Sequence, residues 1–232
     1  MLRAFALALG QMSDPRVLRI GAKSLAAALL VFALLGLALL WGADRGLAAA
    51  GLDDTVVTGA GDLRTLLAAV GAALAAVLLW RIVALAVLQL FADEVVAAVE
   101  ARHYPAAAAA ARKLGWHEEL GASLRGAGRA LLFNLLAAPV ALVLLVTGVG
   151  PVVVFTLVNA MLLGRELQDM VWLRHRSSAH APAPLSGSER FLLGLIVALL
   201  LLVPFANFIA PFLGAAAAAH LIHRKERSAY VA

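Results

Sequence analysis

The chain has 232 residues, of which 63% are hydrophobic, and its mean hydropathy is +0.94. Soluble domains carry about 45–50% apolar residues, so a lipid bilayer must be part of the solvent. The absence of cysteine excludes disulfides, iron–sulfur clusters and thiol catalysis. The formal charge of +5 comes from basic residues scattered between apolar runs, without a stripe of aromatic residues, which argues against a nucleic-acid partner.

The first apolar segment, residues 15–41, is predicted to be a transmembrane helix. Ser13 and Asp14 are residues that cap helices, and Pro15 suits the first helical position because it has no N–H group to satisfy. The segment is long enough to span a bilayer and carries no charge from residue 24 onward. The acidic, glycine-rich residues 42–64 that follow are predicted to form an external loop.

The second apolar segment, residues 65–91, is interrupted only by Arg81. It exceeds the roughly 20 residues needed to span, so we predict a second transmembrane helix. Arg81 falls near its inner end, and we expect the side chain to extend to the headgroups. Residues 92–129 are rich in Arg and Ala and are predicted to form helices that lie on the cytoplasmic surface.

The remaining apolar runs are short and paired. Each has roughly 13 to 17 residues, about 20–25 Å as a helix, which is less than the roughly 30 Å hydrocarbon core. The pairs occupy residues 130–164 and 189–223, and each is joined by a turn with helix-breaking residues. They are predicted to be helical hairpins that penetrate partway. The alternative is that every run spans, which gives six transmembrane helices.

The hairpins are separated by residues 177–188, a linker rich in Ser, Ala and Pro, and both hairpins have basic residues at both ends. The excess of basic residues on cytoplasmic loops then places the N-terminus, the C-terminus and the bases of the hairpins in the cytoplasm. Ser186 and Glu189 have the spacing of a capping box at the start of the second hairpin.

Three cations share one face at the start of the first long helix: Arg16, Arg19 and Lys23. A helix start has free amides and partial positive charge, so with three cations it favours an anion such as sulfate. The alternative is that these residues contact lipid phosphates.

The short hairpin segments contain polar residues that are candidates to line a path. Asn134, Asn159 and Asn207 each place an amide in an apolar segment, where it either faces a pore or holds helices together. Arg165 and Glu166 follow the first hairpin, and Arg165 lies four residues before Asp169. They form either a charged ring at a pore mouth or an ion pair within the helix.

No catalytic or cofactor chemistry is predicted. His220 and His223 are spaced to bind a metal, but the sequence offers no evident third ligand, so we predict no metal site. The chain has no nucleotide-binding, nucleophile-elbow or zinc-protease motif. Transport without ATP, or a non-catalytic membrane role, is therefore expected rather than an enzyme.

One segment is similar to a known family. Residues Val158-Asn159-Ala160-Met161-Leu162-Leu163-Gly164-Arg165-Glu166 resemble the Asn-Gly-x-Leu-Leu-Gly-Arg-Glu-Tyr stretch of the CysZ-type sulfate permeases, which share an etoposide-induced 2.4-like membrane domain. Residues 91–105 and 204–214 are also similar to that family. Leu18-Arg19 matches part of its sulfate-binding Gly-Leu-Arg-Arg stretch, where Val17 and Ile20 replace the glycine and the second arginine.

The resemblance implies an all-α integral membrane protein with two long transmembrane helices and two half-penetrating hairpins. It further implies an oligomeric permease or channel of the bacterial inner membrane that admits sulfate or a related oxyanion for sulfur assimilation. The alternative is a structural or regulatory membrane protein of the same fold that transports nothing. In the permease, the cations of the first helix would bind the anion.

Overall fold

The computed structural model describes residues 1–51, 60–178 and 181–231. These residues form helices joined by turns, with no strand among them, as predicted. Residues 52–59 of the predicted external loop, residues 179–180 of the linker and the side chain of Arg81 lie outside the described residues. The helices are α1 (Leu2–Gln11), α2 (Pro15–Ala49), α3 (Ala60–His103), α4 (Pro105–Ala110), α5 (Trp116–Val143), α6 (Gly150–Trp172), α7 (Gly187–Leu202) and α8 (Ala206–Val231).

The chain forms two compact units. The first contains Met1–Leu18 and Ala92–Ala232, and the second contains Arg19–Phe91. Within the first unit, α6 packs against α5, α7 and α8, and α1 packs against α8. Within the second unit, the Asp44 carboxylate accepts a hydrogen bond from the guanidinium of Arg64 at 2.7 Å.

Four helical segments among the described residues are long and apolar enough to cross a bilayer: Pro15–Ala49, Trp116–Thr147, Gly150–Trp172 and Ala206–Arg227. The prediction of an all-α membrane protein is therefore confirmed. Helices α5 and α6 extend well beyond the apolar runs from which the first hairpin was predicted, because they continue into polar residues. Helix α7 has 16 residues, about 24 Å. Partial penetration of the hairpins stays a prediction.

Helix α2 begins at Pro15, as predicted, and the Asp14 carboxylate caps it by accepting a hydrogen bond from the Arg16 amide at 2.8 Å. The helix continues past its predicted end at Trp41 to Ala49. Alanine and leucine in this stretch favour helix, and the Arg45 guanidinium lies 4.3 Å from the centre of the Trp41 ring, one turn away.

Helix α3 likewise continues beyond the predicted transmembrane segment and ends at His103. Proline disfavours helical conformation in the residue before it, and Tyr104, which precedes Pro105, has φ −137° and ψ 57°. The predicted cytoplasmic region 92–129 therefore contains the end of α3, the short α4 and the first turns of α5.

The turns at the two hairpin tips differ in chemistry. In the first, Gly148 adopts φ +71°, and the Thr147 hydroxyl accepts a hydrogen bond from the Gly150 amide at 2.8 Å. In the second, Phe205 adopts φ +66° although it has a side chain, and it is 83% exposed. A positive φ at a bulky residue is strained, so the second turn carries a conformational cost that glycine removes from the first.

Helices α6 and α7 meet through their backbones at two glycines. A Cβ atom on Gly164 would lie 1.9 Å from the Arg190 carbonyl oxygen, and one on Gly194 would lie 1.9 Å from the Ala160 carbonyl oxygen. Ala160 and Ala198, each four residues from a contact glycine, are also buried. Small residues four apart on facing helices are typical of close helix packing in membranes.

Helix α8 completes the packed part of the first unit with another run of small residues. Ala215, Ala216, Ala217, Ala218 and Ala219 are all fully buried. A Cβ atom on Gly214 would lie 2.9 Å from the Val197 side chain on α7. By contrast, the leucines of α2 are largely exposed, as expected of a helix that faces lipid.

Replacing Gly194 with alanine is expected to destabilise the first unit by at least about 1–3 kcal/mol, because the added methyl group overlaps the Ala160 carbonyl. Thermal unfolding in detergent would measure the loss. Gly128→Ala is the matched control, since Gly128 also lies in a helix but has open space around it. Equal stability of the two variants would contradict this account of the contact.

The predicted capping box at the start of α7 is confirmed. The Ser186 hydroxyl accepts a hydrogen bond from the Glu189 amide, and the Glu189 carboxylate accepts one from the Ser186 amide at 2.8 Å. The same carboxylate pairs with Lys225 of α8. The hydrogen bond from Lys225 and that from the Ser186 amide lower the pKa of Glu189 to about 2.

A lowered pKa means that ionised Glu189 stabilises the fold above its ordinary pKa near 4.5, and that this contribution is lost as the pH falls towards 2. We therefore expect Glu189→Gln to lower the melting temperature at pH 6 and to have little effect at pH 2. Melting curves of both proteins across this range would test it. A melting-temperature difference that does not change with pH would contradict it.

Candidate functional site

A cleft between α5, α6 and α7 is lined by three arginines. Its volume is about 360 Å³. Arg129 comes from α5, Arg165 from α6 and Arg190 from α7, and the rest of the lining is mainly apolar. Its other lining residues are Phe133, Met161, Leu162, Gly187 and Phe191. The cleft is thus a partly apolar space into which three helices bring positive charge.

The positive charge of the cleft is only partly compensated. The Asp169 carboxylate lies 3.6 Å from the Arg129 guanidinium and 3.9 Å from that of Arg165. Glu166 also interacts electrostatically with Arg129. Arg190 is half-buried and forms no ion pair with any residue in the described part of the chain. Three guanidinium groups against two carboxylates leave an excess of one positive charge, which favours an anion in the cleft.

The glycine contact between α6 and α7 positions two of these arginines. Arg165 directly follows Gly164, and the Arg190 carbonyl is the atom that Gly164 contacts. Because the two backbones touch at this point, the two guanidinium groups reach the same cleft from adjacent helices. Fork-shaped guanidinium groups are the side chains best suited to bind tetrahedral oxyanions such as sulfate or phosphate.

The predicted anion-binding cations of α2 are all exposed: Arg16, Arg19 and Lys23. That prediction relied on free amides at the start of α2. The Arg16 amide is not free, because it donates a hydrogen bond to the Asp14 carboxylate. Asp14 also pairs with Arg102 of α3. The hydrogen bond from the Arg16 amide, followed by that from Arg102, lowers the pKa of Asp14, so the cap is ionised at neutral pH.

Of the predicted path-lining residues, Arg165 alone lines the cleft. Asn134 is half-buried and donates a hydrogen bond to the Ala130 carbonyl of its own helix at 2.8 Å. Asn159 and Glu166 are exposed on α6. Asn207 is half-buried, and its Oδ1 has no hydrogen-bond partner among the described residues. The described structure therefore does not bring the three asparagines to the cleft, and their role in a path stays a prediction.

A second polar group is buried away from the cleft, where α3, the end of α6 and α8 meet. Glu100 Oε1 lies 2.8 Å from His175 Nε2 and 3.0 Å from His223 Nε2. The three side chains are 1%, 8% and 3% exposed. We call these three residues the Glu–His cluster. Burial would raise the pKa of Glu100, but hydrogen bonds from His175 and His223 lower it to about 2.

Sequence analysis paired His220 with His223, and the structure separates their roles. His223 joins the Glu–His cluster, whereas His220 Nδ1 forms a 2.9 Å hydrogen bond with the Tyr104 hydroxyl. His220 Nε2 is buried and has no hydrogen-bond partner among the described residues. The reason given for discounting a metal, the lack of a third ligand, no longer holds, because Glu100 and His175 lie beside His223.

Sequence reasoning missed Glu100 and His175 as site residues, and it assigned Arg129 and Arg190 to the basic flanks of the hairpins. The sequence feature that could have indicated Glu100 was its spacing from Tyr104. Glu100 and Tyr104 lie four residues apart on α3 and its end, so they share the face that receives the histidines of α8.

Tyr104→Phe is expected to cost about 1–3 kcal/mol of stability, because it removes the hydrogen bond between the Tyr104 hydroxyl and the buried His220 ring. Thermal or denaturant unfolding in detergent would measure it. In a His220→Leu background the same substitution should cost much less, since no buried polar partner is then left unsatisfied. An equal cost in both backgrounds would contradict the role of this hydrogen bond.

Comparison with known protein families gives a match over most of the chain. The family described as sulfate transporter CysZ/etoposide-induced protein 2.4 has a model that matches residues 4–211 of the chain. This range includes the arginine cleft, Glu100 and His175, and it ends before His220 and His223. No curated protein and no solved structure matches the chain.

Proposed function

Because the chain belongs to the family of the sulfate transporter CysZ and etoposide-induced protein 2.4, a transporter-type family, we propose that it admits sulfate or a related oxyanion across the membrane without ATP. The observation that carries the proposal is the cleft with three arginines and incomplete charge compensation. In this proposal the protein is a permease or channel of the bacterial inner membrane that supplies sulfur assimilation.

The anion would bind in the cleft through the guanidinium groups of Arg165 and Arg190, with Arg129 held nearby by Asp169. Arginine suits this task because it stays charged and presents several donors in a fixed plane. The apolar residues of the cleft would exclude water and so strengthen the attraction. The exposed cations of α2 would raise the local concentration of anions, which depends on ionic strength.

Permeation also requires that the anion leave again. The Asp169 carboxylate lies 3.6 Å from the Arg129 guanidinium and 3.9 Å from the Arg165 guanidinium. Both distances are long for hydrogen bonds. When the anion leaves, the Asp169 carboxylate can again form ion pairs with both arginines. Binding would therefore be strong enough to select an anion yet weak enough to release it, as conduction demands. Homo-oligomer formation and cytoplasmic termini are further parts of the proposal.

The experiment is uptake of radiolabelled sulfate into proteoliposomes without ATP. Wild-type protein should take up sulfate above empty vesicles. Loss of the charged hydrogen bonds in Arg165→Ala with Arg190→Ala should reduce uptake by about 100-fold or more, since each is worth about 1.5–3 kcal/mol and two are lost. Arg125→Ala is the control, because Arg125 is an exposed arginine of α5 one turn before Arg129 that does not line the cleft.

Arg19→Ala, measured in the same assay at low and high salt, tests the role of α2. If it steers anions, the loss of uptake should be larger at low salt. No wild-type uptake, or uptake equal in the double variant and the Arg125 control, would overturn the proposal for the cleft.

The second candidate function is a structural or regulatory membrane protein that transports nothing. Val17 and Ile20 are 6% and 7% exposed, where the resembled stretch has a glycine and a second arginine. An apolar residue packed at position 20 cannot supply a cation to an anion. Absence of both sulfate uptake and heat of sulfate binding in calorimetry would favour this function.

A further inference from the structure

The Glu–His cluster brings three ligand atoms together from three separate segments of the first unit. Glu100 Oε1, His175 Nε2 and His223 Nε2 lie within 4.8 Å of one another. Zinc bonds to nitrogen and oxygen are about 2.0–2.2 Å, so two ligands of a tetrahedral site lie about 3.3 Å apart. The observed 2.8 and 3.0 Å separations from Glu100 to the histidines are about 0.3–0.5 Å shorter. Small side-chain movements would open the cluster around an ion.

The position of His223 between two carboxylates restricts the chemistry of the cluster. Its Nε2 lies 3.0 Å from Glu100, and its Nδ1 lies 3.2 Å from Glu226. A neutral imidazole has a single N–H group and cannot donate to both carboxylates. Both contacts are satisfied either by an added proton, on His223 or on a carboxylate, or by a metal ion at Nε2 with Nδ1–H donating to Glu226. The second arrangement, carboxylate–histidine–metal, is the usual support of metal-binding histidines.

The surroundings of the cluster include an aromatic contact and an arginine. The rings of His175 and His223 have centroids 5.0 Å apart, and the Arg174 guanidinium lies 3.8 Å from Glu100 Oε2. A divalent ion bound by neutral histidines would add two positive charges, which Glu100 and Glu226 would balance. Arg174 pairs with the other oxygen of Glu100 and leaves Oε1 to face the histidines.

We propose that Glu100, His175 and His223 bind a divalent transition-metal ion, with Zn²⁺ the best match to two imidazoles and a carboxylate. The ion would link the end of α3 to the exit of α6 and to α8, with a fourth position for water. Glu226 would orient His223 from outside the coordination shell. This site is separate from the arginine cleft, and neither proposal depends on the other.

The test uses the full chain in detergent, with any histidine tag removed and bound metal stripped by a chelator. Titration with Co²⁺ should give the visible absorption of a tetrahedral site, saturating at one ion per chain. Zn²⁺ should displace the cobalt and raise the melting temperature. If the wild-type protein shows no absorption band and no zinc-dependent rise in melting temperature, the proposal is overturned and an added proton satisfies the contacts of His223 instead.

Variants then locate the ion. Glu100→Gln and His175→Gln should abolish the cobalt absorption. Glu226→Gln should keep one site per chain but weaken zinc affinity by about 10–100-fold, an effect that a purely structural hydrogen bond would not have. His117→Gln is the control, since His117 is exposed and stacks on Trp116 with ring centroids 3.6 Å apart. Cobalt absorption that survives in Glu100→Gln, or is lost in His117→Gln, would place the ion elsewhere and overturn the proposal.

Discussion

The backbone contact between α6 and α7 determines how the helices of the first unit pack and where two of its arginines meet. At Gly164 and Gly194 the two helices approach so closely that a single methyl group would collide with a carbonyl oxygen of the other helix. Association of helices in a membrane gains little from the hydrophobic effect, since lipid is itself apolar, so close packing of small residues carries much of the stability. The buried alanines of α8 extend the same principle to the third helix.

Two polar groups depend on this packing in different ways. The arginine cleft opens beside the glycine contact, where Arg165 and Arg190 are adjacent to the touching backbones. The Glu–His cluster lies where α8 meets the ends of α3 and α6, and its carboxylate is buried with its hydrogen-bond partners. A buried carboxylate is tolerated only with such partners. Close packing of α8 therefore requires that the cluster be complete.

The two groups suit different tasks because of their exposure. In the cleft, the side chain of Arg165 is 48% exposed and therefore accessible to an ion in solution. The Glu–His cluster is almost fully enclosed, and its residues hold one another in fixed positions. The exposed arginine cleft therefore suits exchange of an anion, and the enclosed Glu–His cluster suits long-lived binding of a cation.

The sequence alone determined that this is a membrane protein, because hydropathy and the length of the apolar runs depend directly on whether the surroundings are lipid or water. It also determined the helix caps at Asp14 and Ser186, because capping acts within four residues. The end of the first long helix at Trp41 was predicted too early, since a composition change does not stop a helix whose residues still favour it. Apart from the Arg165–Asp169 pair within α6, only the tertiary structure decided which charges meet. Glu100, His175 and His223 are 48 to 123 residues apart, and no local pattern encodes that contact.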